Sequence, residues 1–233
     1  MILKTMPTFA DKSLSFYKNL KAPAGLPKGV SAMNPYEDDS VCQNLEKFLK
    51  KFFNDDKQRI YVFGINPGRF GAGLTGVTFT DPVCLEEYCG IKNDLDKRKE
   101  ISAEFVYKFI NHYGGASKFY NKFFLTAVSP IGFVRNGINY NYYDDKELLE
   151  ASRPFVVKTM HDQLKMGANR NVAIVLGTGK NQNAFNSLNE EFNLFKTVYF
   201  LDHPRFIMQY RRKRLTEYLD KYKQVFSQAL HDI

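Results

Sequence analysis

Cysteine is scarce: Cys42, Cys84 and Cys89 are the only 3 in 233 residues. An odd number without paired spacing does not make a disulfide framework or a zinc ribbon, and it cannot supply an all-thiolate iron–sulfur cluster. All three read as reduced, buried thiols. Long apolar runs are missing too, so no segment is suited to spanning a bilayer. Met1 to Ala10 carries Lys4 and Pro7 but no sustained apolar stretch, which is not the layout of a secretory leader. The expectation is a protein that is neither exported nor held in a membrane. Internal repeats and low-complexity tracts are absent as well, and the length suits one domain over residues 1–233.

What is abundant is positive charge. The formal net charge is +8 and the pI near 9.2, a balance that favours a polyanionic partner whose phosphates it neutralises with release of counterions. The densest run is Arg211-Arg212-Lys213-Arg214, which charge patterning alone fits equally well to a solvated helix face.

Four short runs rich in β-branched and aromatic residues predict buried strands at 60–64, 123–128, 172–177 and 197–201. Helical periodicity predicts helices at 102–111, 146–166, 181–188 and 206–230, with two more at 11–20 and 41–53 ahead of the first strand. Residues 21–29 form a turn-rich connector between those two. Strand–helix alternation of this kind implies an α/β fold, a three-layer sandwich with a central parallel sheet of four strands flanked by helices. A helical segment over about residues 1–55 would pack on it. In open α/β sheets ligands bind beyond the carboxyl ends of the strands. Asn66-Pro67-Gly68, Ser129-Pro130, Thr178-Gly179 and His203-Pro204 should therefore converge on one cleft.

Residues 64–79 read GINPGRFGAGLTGVTF, with a G-x-G-x-x-G at Gly71, Gly73 and Gly76. A dinucleotide fingerprint has its first glycine in the strand-to-helix turn, where a pyrophosphate meets the helix N-terminus. Here the strand ends at about Gly64 and the glycines begin seven residues later, so nicotinamide and flavin are not expected. The glycines instead let backbone approach a flat ligand and present amide donors. The stretch closely resembles motif one of the uracil-DNA glycosylase superfamily, in the form found in single-strand-selective monofunctional uracil-DNA glycosylases. The family pattern Gly-Met-Asn-Pro-Gly-x-Phe-Gly-x-x-x-Thr-Gly-Val-x-Phe is met by Gly64, Asn66-Pro67-Gly68, Phe70-Gly71, Thr75-Gly76-Val77 and Phe79, with Ile65 at the second position. Asn34-Pro35-Tyr36 is similar to the family's short Asn-Pro segment, and His203-Pro204 stands where the family has His-Pro-Ser. The resemblance spans roughly residues 30–225.

It implies a monofunctional DNA repair glycosylase, without metal or other cofactor, that hydrolyses the N-glycosidic bond of uracil or a related damaged base with water. Breaking that bond builds positive charge on the sugar and negative charge on the departing base, so catalysis means stabilising the separated charge. The resemblance gives Asn66 the attacking water or the sugar side, through an amide that cannot itself act as a base. It gives His203 the oxygen of the leaving base. Read in isolation, an Asn before Pro is a turn residue and a lone His a cap. Phe79 would stack on the extruded base, a contact of about 1–3 kcal/mol. Ile65 and Gly68 would line the pocket, with Gly68 leaving room beside the C5 edge for 5-modified uracils. Arg205 replaces the family's Ser, and Phe206, Ile207 or Met208 would wedge the gap left by the flipped base, or else begin the core face of the last helix. Arg211, Arg212 and Arg214 would clamp flanking phosphates.

One departure is chemical. The family's third motif, Asn-Leu-x-Pro-Leu, supplies a base-reading amide, whereas this sequence has Ala127-Val128-Ser129-Pro130-Ile131. Alanine cannot pair with a base edge. Either Thr126 or Ser129 serves the pocket, or a different damaged base is the substrate, or activity is lost. Two rivals therefore stay open: a catalytically weakened nucleic-acid-binding protein, and a small-molecule α/β enzyme whose charge serves solubility. The expected partner is DNA, single- or double-stranded, and the expected state is a monomer in the cytoplasm with the nucleoid or in the nucleus.

Overall fold

A computed structural model describes residues 6–233, so the first five residues of the expected N-terminal segment lie outside the described part. The strands are β1 (Val30–Met33), β2 (Arg59–Gly64), β3 (Phe123–Ala127), β4 (Gly132–Arg135), β5 (Ile138–Tyr140), β6 (Ala168–Leu176) and β7 (Thr197–Leu201). The helices are α1 (Phe9–Lys18), α2 (Asp39–Phe52), α3 (Ala72–Thr75), α4 (Pro82–Glu87) and α5 (Ile101–Tyr113), followed by α6 (Ala116–Tyr120), α7 (Lys146–Leu164), α8 (Lys180–Phe192), α9 (Pro204–Tyr210) and α10 (Leu215–His231).

The central sheet has 4 strands in the order β3-β2-β6-β7, all parallel, which is the expected α/β sandwich. β2 is buried along its whole length because helices cover both faces, which is why Ile60-Tyr61-Val62-Phe63 reads as a continuous apolar run rather than an alternating one. On one face Tyr61 and Phe63 meet Phe9 of α1 and Phe185 of α8, and the Tyr61 hydroxyl donates to the Gln163 carbonyl of α7 at 3.0 Å. On the other, Phe123 packs on Phe226 of α10, which in turn meets Phe109 of α5. The three cysteines are free and buried, as their number suggested.

Strand order reverses at β2, whose parallel neighbours are β3 on one side and β6 on the other. Loops leaving the carboxyl ends diverge at such a point and open a crevice. The register sets Gly64 beside Ala127 and Leu176 beside Leu201, so the turns after these strands emerge at one edge.

Two features were not expected. First, a 3-stranded antiparallel sheet, β1-β4-β5, stands beside the motif-one loop. It packs so tightly that a Cβ on Gly132 would come within 2.6 Å of Met33 Cε and 2.8 Å of the Pro67 carbonyl oxygen. Second, the single helix anticipated over 206–230 is broken. α9 ends at Tyr210, Arg211 leaves helical geometry (φ −129°, ψ 17°), a short 3₁₀ turn covers Arg212–Arg214, and α10 starts anew. The basic run is therefore a corner between two helices rather than a helix face. No helix among the described residues is long and apolar enough to cross a membrane.

Candidate active site

A cavity of about 170 Å³ opens at the carboxyl edge of the sheet. Asn66 comes to it from the turn after β2, Ala127 from the end of β3 and His203 from the turn after β7; Ile65, Gly68 and Phe79 line it as well. Ser129 does not. It is fully buried, and its hydroxyl donates to the Ile131 carbonyl at 2.8 Å inside its own loop. Thr126 is equally withdrawn, its hydroxyl bonded to Gln163 Oε1 at 2.5 Å and to the Tyr17 hydroxyl at 3.2 Å. Neither side chain replaces the amide missing at position 127.

The Asn66 side chain is held at both ends by the chain leaving β5. Its Nδ2 donates to the Tyr140 carbonyl at 3.3 Å and its Oδ1 accepts the Tyr142 N–H at 3.4 Å. These bonds use one of the two amide hydrogens and one of the two oxygen lone pairs, so a second hydrogen and a second lone pair stay available. The amide is oriented and half-unused.

His203 caps α9. Its Nδ1 accepts the Arg205 backbone N–H at 3.1 Å, and Pro204 occupies the first helical position, where a missing N–H costs nothing. With Nδ1 acting as acceptor, the neutral ring carries its proton on Nε2. Burial, aided by the Arg205 guanidinium, brings the imidazole down to about 4, so the neutral form prevails near pH 7. The Phe79 ring stands 5.7 Å from the His203 ring, centroid to centroid. Phe79 itself adopts φ 55°, a left-handed conformation that a bulky residue takes only where its surroundings enforce it.

The glycines of motif one have distinct tasks. Gly76 ends α3 in the left-handed region (φ 73°), a position that penalises any Cβ. A Cβ on Gly71 would fall 1.9 Å from Glu100 Oε2, and one on Gly68 2.8 Å from Glu100 Oε1 and 3.6 Å from Asn139 Nδ2. The space beside Gly68 is thus bounded by Glu100 and Asn139. Both line the cavity, and sequence reasoning missed both. Glu100 stands just before α5, where its N–H donates to Asp81 Oδ2 at 2.8 Å, while Oδ1 of the same Asp81 caps α4 by accepting Cys84 N–H at 2.7 Å. Burial pushes the Glu100 carboxyl up to about 7, with Asp81 adding to the rise and Arg205 opposing it. Asn139 arrives on β5 of the second sheet, whose hairpin turns at Asn136 (φ 51°) and Gly137 (φ 73°). An Asn-Gly pair with both φ positive is the strongest short-range hairpin signal, and it was legible in the sequence.

Of the expected DNA contacts, Arg205 lines the cavity and is exposed. Phe206 is 38% exposed, whereas Ile207 and Met208 are buried and belong to the core, so of the three only Phe206 presents its ring to solvent. Arg211 lies over the Phe206 ring at 5.1 Å, Arg212 pairs with Glu104 at 2.9 Å and Arg214 with Glu217 at 2.6 Å. Phe70, 40% exposed, is flanked by the guanidinium groups of Arg69 (5.3 Å) and Arg98 (5.0 Å), a second aromatic–cationic patch that motif reading did not single out.

The family model of the uracil DNA glycosylase superfamily matches residues 50–232. Among solved structures, the crystal structure of wild-type Pedobacter heparinus SMUG2 superposes with a TM-score of 0.94 at 40% sequence identity, covering 98% of this chain and 100% of that one. No curated protein matches the chain.

Proposed function

The chain belongs to the uracil DNA glycosylase superfamily, and from that premise we propose that it is a monofunctional DNA repair glycosylase that removes uracil or a related damaged base with water as nucleophile. The observation that carries this reading is the convergence of Asn66, Phe79 and His203, from three separate turns, on one cavity.

In this reading the extruded base lies against Phe79 with its oxygen toward His203. The imidazole donates through Nε2–H and stays neutral, so it stabilises the developing anion by a hydrogen bond aimed in advance, without surrendering a proton. On the sugar side, Asn66 offers its unused N–H and lone pair to a water molecule, while its bonds to Tyr140 and Tyr142 keep the amide from turning. That combination fixes the water against the carbon that becomes cationic. Phe206 fills the vacated stack, and Arg205, Arg211, Arg212 and Arg214 neutralise phosphates on either side of the cleft. The two ion pairs that Arg212 and Arg214 make are solvent-exposed, and exposed pairs of this kind contribute only about 0–1 kcal/mol, so phosphate competes with them readily.

The test is excision from single-stranded and duplex oligonucleotides carrying uracil, 5-hydroxymethyluracil, hypoxanthine or xanthine. Abasic-site formation is expected on at least one of them, and Asn66→Ala and His203→Ala are each expected to lower it by more than about tenfold. Absence of a borohydride-trapped protein–DNA adduct is the result expected of water as nucleophile. Ala127 favours a second reading, a binder that has lost catalysis; salt-sensitive DNA binding with no excision of any base would establish it.

A further inference from the structure

Position 127 offers the cavity only a methyl group, yet polar side chains reach the same space from elsewhere in the fold. The Glu100 carboxyl and the Asn139 amide both line the cavity, and neither side chain has a hydrogen-bond partner among the described residues. The Asn139 amide is committed to no other side chain: its Oδ1 is buried without a partner, and its Nδ2 borders the hollow over Gly68. Both groups border the hollow over Gly68, with Glu100 Oε1 and Asn139 Nδ2 at 2.8 and 3.6 Å from the point where a Cβ would stand. Asn141 also lines the cavity, but its Nδ2 donates to Asp144 at 3.1 Å, and it does not border the hollow over Gly68 as Glu100 and Asn139 do.

Resting on the glycosylase reading above, we propose that Glu100 and Asn139 are the specificity-determining pair of this site and read the hydrogen-bonding edge of the flipped base in place of the amide absent at position 127. The Glu100 carboxylate accepts a ring N–H, and Asn139 Nδ2–H donates to the adjacent carbonyl. The substrate class is a base with a lactam edge, N–H beside C=O, as in uracil and hypoxanthine. Cytosine and adenine have nearly the same outlines with donor and acceptor exchanged. They would place a ring-nitrogen lone pair against the carboxylate and an amino group against the Asn139 donor. Sites built to bond a polar edge reject such mismatches strongly because the protein's own buried groups are left unpaired.

Two charged groups influence Glu100: Asp81 before α4 disfavours its ionisation and Arg205 on α9 favours it, while His203, which lines the same cavity, is neutral. Above about pH 7 the accepting carboxylate therefore predominates.

The experiment measures binding of single-stranded oligonucleotides carrying non-cleavable 2′-fluoroarabino nucleotides of uracil or of cytosine, with excision of ordinary uracil followed in parallel. The wild type should prefer uracil by at least about tenfold, and Glu100→Ala/Asn139→Ala should lose that preference while circular dichroism reports an unchanged fold. Glu100→Gln, which keeps an acceptor oxygen, should retain the preference to within about threefold. A wild type without preference, or a double variant that keeps it, overturns the assignment. The binding readout does not need turnover. Preference without excision upholds the pair and defeats the catalytic reading, and excision with unaltered preference in the double variant does the reverse.

Discussion

The Phe79 ring lies directly against the Cα of Gly64: a Cβ at position 64 would stand 2.8 Å from two of its ring carbons. The last residue of a central strand is thereby kept bare so that the aromatic ring can approach the strand end. Gly64→Ala forces the ring to swing, since its far edge can move where the strand backbone cannot. Excision is expected to fall by more than about tenfold as base stacking worth about 1–3 kcal/mol is lost. Far-UV circular dichroism and the urea m-value should stay at wild-type values, which separates this outcome from unfolding.

His203 should remain a neutral Nε2–H tautomer well below the pH at which an ordinary histidine charges. Its imidazole is lowered to about 4 in the folded protein, against 6.5 for the free side chain. The unfolded chain therefore binds more protons between these values, and the corresponding stability is present above 6.5 and lost as pH falls toward 4. Nitrogen-15 NMR of the ring should give separate pyrrole-like and pyridine-like signals down to about pH 5. A ring titrating near 6.5 would contradict the neutral-donor role.

Glu100 behaves with the opposite sign. Its carboxyl is raised to about 7 from 4.5, so the folded protein binds the extra proton and stability falls as pH rises from 4.5 through 7, then levels off. Glu100→Gln has no such penalty. The melting temperature of this variant minus that of the wild type should grow across that window and become constant above it, and a difference that ignores pH would contradict the placement of the carboxyl.

The corner formed by Arg211, Arg212 and Arg214 should act through phosphate alone. Replacing all three by Gln is expected to weaken single-stranded DNA binding equally for every sequence and to flatten the plot of log affinity against log salt by about 2, at roughly 0.7 per lost contact. A change in which base is excised, with the salt slope intact, would point to a different task for this corner.

The sequence by itself determined the parallel core, because a run such as Ile60-Tyr61-Val62-Phe63, with no polar break, has to be covered on both faces. It also determined Asn66 and His203 as candidates, since each stands in a turn that follows a strand, and Phe79 through its place at the end of the motif that begins with Gly64. The break at Arg211 was not legible, because helical propensity extends across it and only the packing of α9 and α10 onto α5 turns the chain there. Glu100 and Asn139 were hidden for a related reason: neither belongs to a motif. Only tertiary structure decided their place, through Asp81 fixing the entry to α5, the bare faces of Gly68 and Gly71 admitting the carboxyl, and Gly132 letting the second sheet close on Pro67. Local chemistry fixes which strand ends carry reactive groups, whereas the polar edge that meets a ligand depends on contacts between segments far apart in the chain.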